Sequence, residues 1–193
     1  MQEKTLIIAR HDEDMGWLAG LTDCKIRIMQ KGMPNLPNEG RESLSYLRFI
    51  VDNYYDLDGT YYFVQGNPIP HFTDLINFIN KDTAEETMMF GDGQFICGYD
   101  GSPQHDLHPH LHIKETADEI GLELPPFICF VRSAQFKITG ISIRRIRRSV
   151  YQALINLHDK YDTMPWVMER LWGILLDQKS SLLQAFRGQE QLG

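Results

Sequence analysis

Tyr61-Tyr62-Phe63-Val64-Gln65-Gly66-Asn67-Pro68-Ile69-Pro70-His71 is an apolar run that stops abruptly in amide, glycine, proline and histidine. Aromatic and β-branched residues fit a pleated strand, and the glycine and prolines that follow must end it. A strand apolar throughout, without polar alternation, is expected to be covered on both faces, as central strands of α/β sheets are. Ligands of such sheets bind just beyond the carboxyl ends of strands. Gln65, Asn67 and His71 are therefore placed at a crevice mouth, with Gly66 allowing close backbone approach; the plain alternative is a strand followed by an ordinary turn.

Outward from this stretch, Leu6-Ile7-Ile8-Ala9 is a short buried-strand candidate running into Arg10-His11-Asp12-Glu13-Asp14, and Met15 to Leu18 can open a helix. Lys25 to Lys31 alternates polar with apolar, which predicts a half-exposed strand nearer the sheet edge. Gly32 to Gly40 is a loop that delivers Arg41 and Glu42 to a helix striped by Leu44, Leu47, Ile50, Val51 and Tyr54. Thr73 is read as the N-cap of a helix carrying Leu75, Ile76, Phe78 and Ile79, and Asp82 to Glu86 as solvated polar chain. Met88 to His112 is broken by glycine and proline, with only Phe95-Ile96-Cys97 suggesting a strand. Lys114 to Ile120 forms a helix ended by Gly121. Phe127 to Val131 is a second apolar strand, and Gln135 to Thr139 alternates and lines the same mouth. One further helix shares Val150, Leu154, Leu157 and Tyr161 on a face, and the last carries Met168, Leu171, Trp172 and Leu175.

A chain of 193 residues with 42% hydrophobic content suits one domain with a real core. The expected organisation is a single α/β domain over residues 1–176, with a mixed, mostly parallel central sheet flanked by helices, and a polar tail over 177–193. A formal net charge of -7 argues against nonspecific nucleic-acid binding, which needs a broad basic surface. Cys24, Cys97 and Cys129 lack paired spacing and read as reduced thiols of a cytoplasmic protein, and no signal peptide or membrane span is visible.

No dinucleotide fingerprint, P-loop lysine motif or Gly-x-Ser-x-Gly elbow is present, which lowers the expectation of dehydrogenases, P-loop NTPases and hydrolases of the elbow design. His105, His108, His110 and His112, with Asp100 and Asp106 nearby, are the most metal-like cluster, set against a solvent-exposed, proline-interrupted loop. Arg144, Arg145, Arg147 and Arg148 are read as a solvated basic helix face, with a phosphate clamp as the alternative. Asp12, Glu13 and Asp14 stand evenly between a charged turn and a site. Glu169, on its helix beside Trp172, is by spacing alone a helix-surface carboxylate, with general base as the alternative.

Taken together, Ile8-Ala9-Arg10-His11-Asp12-Glu13-Asp14 with Trp17, Gly40-Arg41-Glu42 with Tyr46-Leu47, Phe63-Val64-Gln65-Gly66 with His71, Ala134-Gln135-Phe136 with Tyr151, and Glu169-Arg170-Leu171-Trp172 carry a resemblance. The chain from Leu6 to about Trp172 resembles a domain-of-unknown-function family with fungal, bacterial and viral members, related to glycosyltransferases of the GT-A fold. The resemblance implies a GT-A-like domain that moves a sugar from a nucleotide-diphosphate sugar to a carbohydrate or other hydroxyl acceptor. Ala9, Arg10, Asp12, Asp14, Arg41, Gln65, Gly66, Asn67 and Gln135 would hold the donor, and Glu169 would match the acidic residue near the reaction centre.

In that fold the central strand ends in an Asp-x-Asp motif that binds Mn or Mg. Here the matching place reads Gln65-Gly66-Asn67, whose amides bring no negative charge. Asn67 and His71 are the candidate metal ligands; His71, Asp92 or Asp100 could compensate, or the donor could be held without metal. The rivals are a metal-dependent hydrolase built on the His105 to His112 cluster and a non-catalytic nucleotide-sugar-binding module.

Overall fold

The computed structural model describes residues 3–83, 86–91, 93–98 and 110–176. Its elements in chain order are β1 (Lys4–Arg10), β2 (Lys25–Gln30), α1 (Arg41–Asn53), β3 (Thr60–Gln65), α2 (Leu75–Lys81), β4 (Met88–Met89), β5 (Gln94–Gly98), α3 (Ile113–Ile120), β6 (Phe127–Val131), β7 (Phe136–Thr139), α4 (Gly140–Arg144), α5 (Arg148–His158) and α6 (Met164–Leu176). The five-stranded sheet has the order β2-β1-β3-β7-β4. β1 pairs in parallel with β2 and β3, whereas β7 is antiparallel to both β3 and β4, so β7 alone runs against the others. The fold is therefore mixed α/β with an open, mostly parallel sheet flanked by helices.

Alternation along β1 and β3 sends side chains to two covered faces, which is why these strands are apolar without a break. Ile7, Ala9, Tyr61 and Phe63 pack with Phe136 and Ile138 under α1, α5 and α6 in the larger core. Leu6, Ile8, Tyr62 and Val64 pack with Leu75, Ile79 and Phe90 in the smaller one. Aromatic rings fill the larger core: Phe63 stacks on Phe136 at 4.7 Å, and Tyr46 meets Phe63 edge-on at 5.2 Å. β2 lies at the sheet edge as its alternation predicts, and its Ile26 and Ile28 remain exposed.

Several elements differ from the sequence reading. Thr73 does not cap α2: Asp74 occupies the N-cap position, without a side-chain cap bond. Met15 to Leu18 gives only a single 3-10 turn over Gly16–Leu18. The apolar strand β6 does not join the main sheet but pairs antiparallel with β5 in a two-stranded one. Tyr161 lies past the end of α5, yet it still packs against the larger core.

The alternation of β7 also misleads, because Lys137 is as buried as its apolar neighbours. Its ammonium donates to Asp82 at 2.8 Å, and the Tyr62 hydroxyl donates to the same carboxylate oxygen at 2.6 Å. Asp82 is thus an internal anion holding α2 to the sheet, not solvated chain. Among the described residues no helix is long and apolar enough to cross a membrane. The tail over 177–193, and Asp92, Asp100, His105, Asp106 and His108, lie outside the described residues.

His158, at the end of α5, lies near the Ser43 hydroxyl of α1, at 3.3 Å, and burial pushes its pKa down to about 4. A histidine kept neutral when folded and free to protonate when unfolded favours unfolding as pH falls, because the unfolded chain binds the extra proton. Stability is expected to be intact above about pH 6.5 and to decline by roughly 2–3 kcal/mol toward pH 4 through this group. Urea denaturation from pH 7 to pH 4 measures it, and His158→Gln is expected to flatten that part of the curve. An equally steep fall in the variant would exclude His158 as the source.

Candidate functional site

A cavity of about 450 Å³ opens beyond the carboxyl ends of the three adjacent parallel strands β2, β1 and β3. The loop after β1 supplies His11, Asp12 and Glu13; the end of β2 supplies Lys31; the loop after β3 supplies Asn67, Pro70 and His71, next to Gln65. Asn38, Arg41 and Glu42, at the start of α1, close the remaining side. From β1 the chain moves outward to β2, and from β3 it moves the other way toward β7 and β4. The neighbouring loops after β1 and β3 therefore diverge and leave a crevice between them, the switch point at which open α/β sheets take ligands.

The walls are held by residues that do not themselves line the space. Arg10 donates from Nε to the Glu13 carbonyl at 3.0 Å and from Nη1 to Gln30 Oε1 at 3.0 Å, which ties the β1 loop to β2. Asp14 Oδ1 accepts the Gly16 amide at 3.2 Å, and the Trp17 indole donates to the Gly66 carbonyl at 2.9 Å. Gly66 lets Glu13 approach closely: any Cβ there would displace the Glu13 carboxylate. Ala9, paired with Gln65 across the β1–β3 ladder, is fully buried beneath the mouth.

The charged groups are not equivalent. Asp12, with its side chain 86% exposed, lies 3.3 Å from His11 Nδ1 and faces solvent. Burial would raise the Glu13 carboxyl, but hydrogen bonds from the His11 amide and its own, with the Lys31 charge, hold it below the usual carboxylate range. Glu42 goes the other way. Burial raises it, its own amide, Arg41 and Lys31 oppose the rise, and the Glu169 charge adds to it. Arg41 stacks over Trp166 at 5.5 Å and stands 3.9 Å from Glu42. Its backbone has φ 47° and ψ -143°, a region that side chains other than hydrogen seldom enter and that clusters at functional sites.

The predicted site residues thus divide. Asp12, Arg41, Gln65, Asn67 and His71 meet on the cavity wall; Arg10, Asp14 and Gly66 shape it. Gln135 and Glu169 do not line the cavity: Gln135 is buried, and Glu169 is partly buried close enough for its charge to act on Glu42. Glu169 accepts the Ser133 amide at 2.7 Å and Arg170 Nη1 at 2.6 Å, while Gln135 Nε2 donates to the Ser133 hydroxyl at 3.1 Å. This group braces the turn between β6 and β7, where Ser133 and Ala134 have φ of 76° and 49°.

Among the described residues, no three His, Cys, Asp or Glu side chains converge as metal ligands would. His112 stacks on Tyr161 at 4.2 Å and lies 3.2 Å from the Thr163 hydroxyl, while His110 is exposed. The arginine run does not reach the cavity, and Arg148 donates to the Val51 carbonyl of α1 at 3.0 Å.

Lys31, Glu42, His11 and Asn38 were not singled out by sequence as site residues. Lys31 read as the last polar position of an edge strand. Its place directly after a strand parallel to β1 was the available signal, since all such strands end at the same mouth. No protein-family model, curated protein or solved structure matches the chain.

Proposed function

We propose that the protein is a glycosyltransferase that binds a nucleotide-diphosphate sugar in this cavity and passes the sugar to an acceptor hydroxyl. The observation that carries the reading is the position of the cavity. A polar space of about 450 Å³, walled by the loops after β1 and β3 and by the start of α1, is the size and place for a nucleotide at an α/β switch point. The resemblance described above points to the same loops. In this reading the loop after β1 holds the nucleoside, Gln65, Asn67 and His71 face the diphosphate, and Arg41 offsets charge on the leaving group. Asn67 and His71 are the residues to which Mn or Mg would come.

Two carboxylates are candidates for accepting the acceptor's proton. The resemblance favours Glu169, and Glu42 stands on the wall itself with its proton affinity raised by burial. A thermal-shift screen of nucleotide sugars with and without Mn tests the reading, because a ligand of the native state raises the melting temperature. A rise is expected for one donor class and is expected to shrink in Arg41→Ala and Gln65→Ala; no rise across the panel would overturn the proposal. With a donor in hand, Glu42→Gln and Glu169→Gln are compared, and the variant lacking the base is expected to lose roughly a hundredfold or more in turnover at unchanged donor affinity.

A further inference from the structure

Lys31 is only 8% exposed, an unusual state for a lysine, and among the described residues its ammonium makes no hydrogen bond or ion pair. Its nitrogen is not among the buried polar atoms sealed from solvent without a partner, and the residue lines the cavity. The charges of both Glu13 and Glu42 feel it, which sets it between the β1 loop and the start of α1. Those acids do not answer it as ion-pair partners: Glu13 is taken by the His11 amide at 2.6 Å, and Glu42 is turned to its own amide.

The amino end of α1 reaches the same space. This 13-residue helix begins at Arg41, with Gly40 at the N-cap position and no side-chain cap, and Arg41 is on the cavity wall. Positive charge from the helix end, a guanidinium and a largely buried ammonium therefore meet on one cavity wall, beside the carboxylates of Asp12, Glu13 and Glu42.

We infer that Lys31, with Arg41 and the first turn of α1, forms a subsite for a phosphate-class anion, so that the protein itself supplies the cation that meets a diphosphate. An entering anion supplies the direct acceptor that this largely buried ammonium lacks among the described residues. This deepens the transferase reading and rests on it only for what the anion is attached to.

Calorimetric titration of the full chain with inorganic pyrophosphate in EDTA is the test. Wild type is expected to bind, Lys31→Met to bind roughly ten- to a hundredfold more weakly, and Lys31→Arg to keep most of the affinity.

A second measurement uses wild type alone: pyrophosphate is expected to slow reductive methylation of Lys31, read by mass spectrometry, and to leave Lys25 unprotected. Binding that appears only with Mg added, equal affinity in Lys31→Met, or an unprotected Lys31 would each overturn the inference. Pyrophosphate bound through Lys31 with no response to any nucleotide sugar would instead remove the transferase reading and leave the subsite standing.

Discussion

Lys137→Met is expected to destabilise the protein by about 3–5 kcal/mol, the scale of leaving one member of a buried ion pair alone. The pair is well enclosed, with side-chain exposures of 3% for Lys137 and 7% for Asp82, and lies on the smaller-core face of the sheet beside Tyr62. Removing the ammonium takes a charged donor from a largely buried carboxylate that also accepts from the Tyr62 hydroxyl. Urea denaturation at pH 7 measures the loss. Adding Asp82→Leu is expected to restore part of it, because no buried charge then remains, although the Tyr62 hydroxyl loses its acceptor. A loss under about 1 kcal/mol in the single variant would mean that the pair is screened as surface pairs are.

Gly140→Ala is expected to be more severe, above about 4 kcal/mol or without a folded product, because the obstruction is backbone. A Cβ at Gly140 would stand 2.0 Å from the Leu57 carbonyl oxygen and 2.4 Å from its carbon. The Gly140 amide meanwhile donates to the Gly59 carbonyl at 2.9 Å, which pins β7 and α4 against the segment leading into β3. Neither strand can move away without opening the ladder that pairs Thr60 with Thr139. The clash lies at the amino end of β3, opposite the cavity. Folded yield and melting temperature decide the matter, and a variant melting within a few degrees of wild type would show that this junction has room.

Both predictions concern positions that sequence misjudged or left bare, and the reason is general. Periodicity reports how many faces of an element are covered, so Tyr61 to Val64 announced a central strand and the α1 stripe announced its packing face. It also showed where apolar chain stops, which located Gln65, Asn67 and His71 at the mouth of the sheet, and the cavity is there. Local pattern carries no information about which partner a polar residue meets. Nothing in the alternation of Gln135 to Thr139 points to Asp82, 55 residues away in sequence, whose approach makes the burial of Lys137 tolerable. Phe127 to Val131 had the composition of a sheet strand, but pairing partners are chosen by tertiary packing, and β5 took it.

The same division runs through the site. Sequence determined that strands β1 and β3 end in polar loops, because apolar runs must stop where the covering helices stop. That Lys31 and the first turn of α1 reach the same space, while Glu169 turns to brace Ser133, was decided only when the sheet order 2-1-3 brought three loop ends together. Strand order is fixed by long-range pairing energies, which a single chain's local pattern does not contain.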